Sequence, residues 1–364
     1  MKFLASNFRP LDTDHQTYYE TWADLFHRNN RIQIAVGYAS NDSLLYLRKL
    51  IELNSPKEVN ICLGMAKFEG LFSSQVSAAK ELSNYLSSNN IGEVYLSQQF
   101  PFHGKIQTFA SGTRLTAGVV GSSNLSNIVP TSGVTRSYYE FDVLVDEPAR
   151  IQELDTFLKL LFKDAVVTLP ESLGNLKIRS DPNLLMNSTF GVEEVDQATK
   201  NRIWNGATGS TFEIPIKTTE KSNLNTFFGK GRENAQGFVA PRHWYETEII
   251  VGRRVQESAV DYPIKKDFIT YTDDGYKFIL KTSGDYGKNL RSRDDLTLLG
   301  RWLKGRMESA HCLESGQPVT AKVLYNYGRD TIVLTKTNNL ERDPVSGEML
   351  EVWAIDFARP NSRV

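Results

Sequence analysis

A chain of 364 residues with 40% hydrophobic, 23% charged and 11% aromatic content has the balance of a folded globular protein, which excludes disorder and fibrous repeats. It is long enough for two domains, since domains usually run to roughly 100–200 residues. The formal net charge of −1 excludes a protein that coats polyanions with its whole surface, while leaving room for a local basic face.

The first part alternates short β-rich runs with helical patterns: RIQIAVGYA, SLLYLRKLI, EVNICLGM, QVSAAKELSNYL and EVYLSQ in turn. This order predicts an α/β domain. GKIQTFA, TRLTAGVVG and YYEFDVLVD follow as further strands, and ARIQELDTFLKLLF closes the unit as an amphipathic helix. The predicted boundaries are residues 1–170 for this domain, 171–200 for a Pro-, Asn-, Ser- and Gly-rich connector with a short helix at EEVDQATKNRIWN, and 201–364 for a second domain. That second domain is strand-rich, with TFEIPIKT, TEIIVGRRV, DFITYTDDGYKFILKTSG, VTAKVLYNYG, DTIVLTKT and EVWAIDF as predicted strands and LTLLGRWLKGRM as its firm helix. Many short strands with one or two helices predict a β-barrel or pseudobarrel.

Two cysteines only, Cys62 and Cys312, lie far apart in apolar settings, which argues against a disulfide framework and a thiolate metal site. No run approaches the ~20 apolar residues of a membrane span. The opening MKFLASNFRPLDTD has too short an apolar stretch for a signal peptide. The expectation is a cytoplasmic protein in a reducing compartment, with no membrane partner.

The chemistry concentrates in His103-Gly104-Lys105, followed by Gly121-Ser122-Ser123-Asn124 and then Tyr139-Glu140-Phe141. If His103 and Lys105 share a strand, residues i and i+2 project to one face. An imidazole there can attack phosphorus to form a covalent phosphohistidine, while the neighbouring ammonium stabilises charge on the phosphoryl oxygens. The turn at Ser122–Asn124 offers backbone N–H groups, a hydroxyl and an amide to phosphate. Glu140 is expected to hold the second nitrogen of His103. No Asp or Glu of the chain has a Lys two positions later, and the H-x-H, H-E-x-x-H and C-x-x-C spacings are missing, so no metal and no other cofactor is expected.

This ordered set resembles the phospholipase D superfamily, whose signature is H-x-K, four residues, D, then G-[SG]-x-N. The sequence departs from it at Ala110, where the signature has aspartate. Within the superfamily it resembles restriction endonucleases of the BfiI/NgoAVII type, in which a phospholipase-D-like nuclease domain precedes a B3-like DNA-binding domain. The resemblance implies an N-terminal mixed-sheet sandwich with a C-terminal mainly-β B3-like pseudobarrel. It implies a type II enzyme that hydrolyses double-stranded DNA without metal, with His103 as nucleophile, Lys105 and Asn124 as phosphate ligands, Ser122 as a supporting hydroxyl and Glu140 as orienting carboxylate. None of His15, His27, His243 and His311 has a lysine two residues on, so one chain carries half a site. A homodimer through the N-terminal domain would bring in the second histidine as general acid and base. A methyltransferase and a helicase-like ATPase are companions that the sequence leaves open.

Backbone contacts carry no sequence information, so target choice falls to the C-terminal half. Between Lys281 and Arg306 there are seven basic residues against three acidic ones. This stretch and the basic loop GKGRENAQGFVAPRHWYE resemble the two arms of a B3-like fold. The expected DNA contacts are Asp285, Tyr286, Lys288, Asn289, Arg291 and Arg293 from one arm, and Lys230, Arg232, Arg242 and Trp244 near the other. Two rival functions share parts of the pattern: a lipid phosphodiesterase, which should carry an amphipathic membrane-facing stretch that the sequence does not show, and a non-catalytic DNA-binding protein with a decayed site, prompted by Ala110.

Overall fold

Six-residue runs rich in Val, Ile and Leu, set between helices, fix the framework of the first half. In the computed structural model, which describes residues 1–7, 11, 13–129, 139–179, 186, 189, 191–219, 222–235, 237–258 and 260–359, these runs become the inner strands of an eight-stranded sheet. The strands are β1 (Lys2–Ala5), β2 (Arg31–Val36), β3 (Glu58–Leu63), β4 (Gly92–Ser97), β5 (Lys105–Ser111), β6 (Arg114–Gly121), β7 (Phe141–Val145) and β8 (Val166–Thr168). Between them run helices α1 (Tyr18–Arg28), α2 (Asn41–Asn54), α3 (Ser73–Ser88) and α4 (Pro148–Asp164). The spatial order is β1-β7-β6-β5-β2-β3-β4-β8. β2, β3 and β4 are parallel and joined by helical crossovers, and the other neighbours are antiparallel. Local sequence agrees with this plan: Thr17 and Glu20 form a capping box on α1, the Ser40 hydroxyl caps α2, and a proline opens α4. Buried Gln107 on β5 takes the indole N–H of Trp22 at 2.6 Å and donates to the Tyr18 hydroxyl, fastening α1 to the strand that starts at Lys105.

The chain divides into two compact units. The first comprises Met1–Thr131, Thr135–Asp181 and Lys230–His243; the second comprises Ser132–Val134, Pro182–Gly229 and Trp244–Val364. The return of Lys230–His243 to the first unit was not foreseen from the sequence. His243 Nε2 lies 3.4 Å from the Asp42 carboxylate, and the Phe238 ring meets His27 edge-on at 5.9 Å. The 171–200 connector falls partly outside the described residues.

The second unit has α5 (Gln197–Asn205), β9 (Thr211–Pro215), β10 (Ile249–Ile250), β11 (Asp267–Thr272), β12 (Tyr276–Ser283), β13 (Asn289–Ser292), α6 (Leu298–Ser309), α7 (Ala321–Tyr327), β14 (Thr331–Arg342) and β15 (Met349–Asp356). Its sheet runs β9-β14-β15-β11-β12-β13-β10, with Glu193–Glu194 also paired to β12; the end strands β9 and β10 are not paired to each other. Two predicted strands are corrected. VTAKVLYNYG forms α7, because the Thr320 hydroxyl caps the Val323 N–H and Gly328, at φ +86°, ends the helix in a left-handed turn. TEIIVGRRV keeps only Ile249–Ile250 as strand and turns helical over Arg253–Gln256.

The core of this unit contains one charged residue with unusual surroundings. Lys304 on α6 is fully buried, donates from Nζ to the Trp244 carbonyl at 2.6 Å and sits 4.3 Å from the Trp244 ring centroid. Glu308 receives the Trp244 indole N–H at 3.0 Å and the Tyr245 hydroxyl at 2.8 Å. Burial lowers the Lys304 ammonium to about 7, with Glu308 and Glu246 opposing the shift. In the unfolded chain a lysine titrates near ~10.4, so between these values the unfolded state binds the extra proton and stability rises with pH. Equilibrium unfolding followed by tryptophan fluorescence should therefore show a gain in stability from about pH 7 to about pH 10. Lys304→Met should flatten that dependence, and an unchanged slope would refute the assignment.

Candidate functional site

Strand polarity gathers the predicted motif. Val36 at the end of β2 pairs with Lys105 at the start of β5, Ile106 pairs with Val120 near the end of β6, and Gly121 pairs with Asp142 at the start of β7. Four strand ends thus meet at one end of the sheet, carrying Gly37–Tyr38, His103–Lys105, Ser122–Asn124 and Glu140–Asp142. From the sequence, His103 and Glu140 are expected on strands; His103 lies instead in the segment just before β5, and Glu140 in the one just before β7. Their juxtaposition comes from a loop anchor instead. Phe102 is buried in a cluster with Ala35, Cys62, Leu158, Leu161 and Ala165, and its N–H donates to the Gly64 carbonyl at 3.1 Å. A Cβ at Gly64 would stand 1.9 Å from the Phe102 carbonyl oxygen, so only glycine lets the loop dock.

The Lys105 ammonium lies 3.2 Å from His103 Nε2 and 3.4 Å from Nδ1, and donates to the His103 carbonyl at 2.8 Å. An ammonium can donate to an imidazole nitrogen only where that nitrogen presents its lone pair, the form a nucleophile needs. Tyr38 meets the imidazole edge-on at 5.5 Å, and its hydroxyl donates to Glu69 at 2.9 Å. A Cβ at Gly37 would come within 3.0 Å of His103 Cδ2, so the glycine keeps space for the ring. Burial lowers the Lys105 ammonium below the usual lysine range, and the Glu140 carboxylate works against that shift.

Asn124 accepts the Tyr38 backbone N–H on Oδ1 at 3.2 Å, which orients its amide so that the Nδ2 donor side is left for another acceptor. The Ser122 hydroxyl is engaged with the backbone of β7, accepting the Phe141 N–H at 3.0 Å and lying 3.4 Å from the Phe141 carbonyl. It therefore ties the turn to the strand that follows Glu140. The Glu140 backbone N–H is taken by the Ser6 hydroxyl at 2.8 Å. Among the described residues the Glu140 carboxylate makes no hydrogen bond to His103, the partner expected for it from the sequence; it acts electrostatically, on Lys105 and on the Asp142 carboxyl.

Sequence reasoning passed over Asp142, Phe102 and Tyr38. Asp142 is 1% exposed and receives the Ser123 N–H at 2.9 Å and the Ser123 hydroxyl at 2.6 Å, fixing the turn that presents Asn124. A Cβ at Gly121 would fall 2.2 Å from the Asp142 carboxylate, which explains the glycine. The available signal was an acidic residue inside the apolar run FDVLV. Ala110, where the signature has aspartate, is buried five residues further along β5 than Lys105, about 17 Å away at roughly 3.4 Å per residue. Its substitution leaves the groups at the strand ends untouched.

The expected DNA contacts divide sharply. Lys230, Arg232 and Arg242 group with the first unit, the first two exposed. Trp244 is a core residue, 1% exposed, and cannot meet DNA as expected. Arg293 is committed to Asp343 at 2.7 Å and Asp294 at 2.8 Å, which raise its already high basicity. Asn289 and Arg291 lie half-buried on β13, while Asp285, Tyr286 and Lys288 stand exposed on the turn before it.

Two family models match the chain. The NgoFVII restriction endonuclease N-terminal PLD domain matches residues 16–169, and the NgoFVII C-terminal B3-like DNA-binding domain matches residues 202–338. No curated protein matches the chain in sequence. These two matches define a restriction endonuclease with a PLD-like nuclease domain followed by a B3-like DNA-binding domain. The chain belongs to the NgoFVII restriction endonuclease family. Among the described residues no helix is long and apolar enough to cross a membrane.

The role of Asp142 can be separated from its charge. Burial raises its carboxyl above the usual range against the Ser123 bonds, so its contribution to stability is full below the unfolded value near ~3.9 and falls as pH rises through the raised folded value. Asp142→Asn should remove that loss and stay folded at neutral pH. Asp142→Ala leaves the Ser123 N–H without its acceptor and should cost roughly 1–3 kcal/mol in denaturant unfolding. Equal destabilisation by the two variants would count against this account.

Proposed function

We propose that this restriction endonuclease is a type II enzyme that cleaves DNA without a metal ion through a covalent phosphohistidine on His103. The observation that carries the reading is the Lys105 ammonium 3.2 Å from His103 Nε2, beside the free donor side of Asn124. In the first step a lone pair of the His103 imidazole attacks phosphorus, a nitrogen–phosphorus bond forms and the bond to the leaving ester oxygen breaks. Lys105 and Asn124 stabilise the charge that grows on the phosphoryl oxygens. Glu140 keeps Lys105 cationic against its burial, a role that differs from orienting His103. In the second step water attacks phosphorus, the nitrogen–phosphorus bond breaks and His103 is regenerated.

Both steps need a proton carrier: an acid for the leaving oxygen, then a base for water. No other histidine of the chain is followed two residues on by lysine. We assign the carrier to His103 of a second copy, brought in across a two-fold axis by pairing of the N-terminal domains. In this reading the sheet-end geometry supports a sandwich of the phospholipase D type, and the open sheet of the second unit supports a B3-like pseudobarrel that selects the target.

Digestion of a defined plasmid in EDTA, with the fragment ends sequenced, tests the reading. Discrete fragments are expected, and His103→Ala should abolish them. Sedimentation of the wild-type chain should give a dimer. Cleavage that required added magnesium, or that survived His103→Ala, would overturn the mechanism.

A further inference from the structure

The exposed turn before β13 carries strain that the fold itself does not repay. Tyr286 has φ +57° and ψ 20°, a left-handed conformation in which a non-glycine residue is disfavoured, yet its side chain is 66% exposed. Glycine would serve the turn better. Lys265 also has φ +52°, and it stands against the same turn: a Cβ on Gly287 would reach within 3.1 Å of Ile264 Cα and 3.4 Å of the Lys265 nitrogen. The Tyr262 hydroxyl donates to the Gly287 carbonyl at 2.8 Å, and the Thr282 hydroxyl donates to the Pro263 carbonyl. Strain held in place by this many bonds points to use of the presented side chain.

On the other flank, the Val251 N–H donates to the Lys288 carbonyl at 2.8 Å, and the chain then turns into Arg253–Gln256. This places the Arg253 guanidinium 5.4 Å from the Tyr286 ring centroid. Arg253, Arg254, Lys265, Lys266 and Lys288 are all exposed. Their acidic neighbours Glu257, 2.6 Å from Arg253, and Asp285, 3.2 Å from Lys288, form exposed pairs of the kind that exchange readily for phosphate. By contrast, Lys230, Arg232 and Arg242, expected from the sequence to form the other arm, group with the first unit.

We propose that the second unit grips DNA between residues 252–257 and 284–288, with Arg253 and Arg254 holding phosphates while Tyr286, stacked on Arg253, contacts the bases. The proposal rests on the DNA-binding reading of this unit and adds the residues that perform it. A guanidinium suits phosphate as a charged donor, and an aromatic ring with an outward hydroxyl suits base edges and faces.

Retention of a linearised plasmid between about 50 mM and about 200 mM salt, by full-length chains that all carry His103→Ala so that the plasmid is not cut, reads the two roles separately, and the chain with His103→Ala alone is the wild-type reference. The R253A/R254A double variant should bind at least about tenfold more weakly at low salt, with a salt dependence shallower by about two phosphate contacts. Tyr286→Gly should melt no lower than wild type, because glycine accepts the left-handed turn, yet bind about tenfold more weakly with the salt dependence unchanged. Wild-type affinity in both variants would overturn the proposal, as would a Tyr286→Gly loss accompanied by a shallower salt dependence. A wild-type chain that retained no plasmid at low salt would instead sink the DNA-binding reading on which the proposal stands.

Discussion

The antiparallel register of β2, β5, β6 and β7 is the constraint on which the nuclease unit depends. Each antiparallel pairing brings the end of one strand beside the start of its neighbour, so groups as far apart in the chain as Tyr38 and Asp142 share one end of the sheet. A slip of one residue would turn Lys105 to the opposite face and bring buried Gln107 out of reach of Trp22. The buried Gln107 amide, with partners on α1, penalises such a slip because it would leave polar atoms unpaired. Close approach at the strand ends then selects glycine at Gly37, Gly64 and Gly121, each facing a group of the site or of its anchor.

Desolvation at this sheet end acts on both signs of charge. It lowers the Lys105 ammonium and raises the Asp142 carboxyl, so the same low-polarity surroundings favour the neutral form of each. The two carboxyls have different partners. Asp142 spends its acceptors on Ser123 and is a fixed part of the turn, whereas Glu140 acts through space on Lys105. A phosphodiester entering beside Lys105 and Asn124 would bring the negative charge that stabilises the ammonium form, so substrate and catalyst correct one another's electrostatics.

The inner strands of the first unit were legible because β2, β3 and β4 are short runs rich in Val, Ile and Leu that alternate with helical patterns. The motif order was legible too, since His103, Lys105, Asn124 and Glu140 follow one another in a fixed succession. What supports them was not. Nothing in the sequence marks Phe102, whose use as a loop anchor depends on a close contact with Gly64, 38 residues earlier in the chain. The α7 segment reads as a strand because Val323, Tyr325 and Tyr327 alternate along it; the Thr320 cap and the left-handed Gly328 decide otherwise. Lys230–His243 shows a further limit, since composition marks a loop as basic without saying which compact unit it joins.

Charge counting misled for a related reason. The basic stretch from Lys281 to Arg306 loses Arg293 to Asp343, Arg306 to Asp273, and Lys304 to the core, so much of its excess is consumed by the fold. Arg253 and Arg254, in a segment that drew no attention as a charge run, keep their guanidinium groups at the surface. A polyanion responds to charges that the fold has not already neutralised, and burial decides which those are. A net charge of −1 is therefore compatible with a DNA-binding domain: internal ion pairs cancel in the sum, and in the proposed grip a few exposed cations around a strained turn set the local field. The phosphate chemistry in the first unit needs no such field to choose a sequence, because its contacts are to groups every nucleotide shares. Discrimination therefore falls to the second domain, and in the proposed grip it rests on Tyr286, an exposed side chain held at a conformational cost.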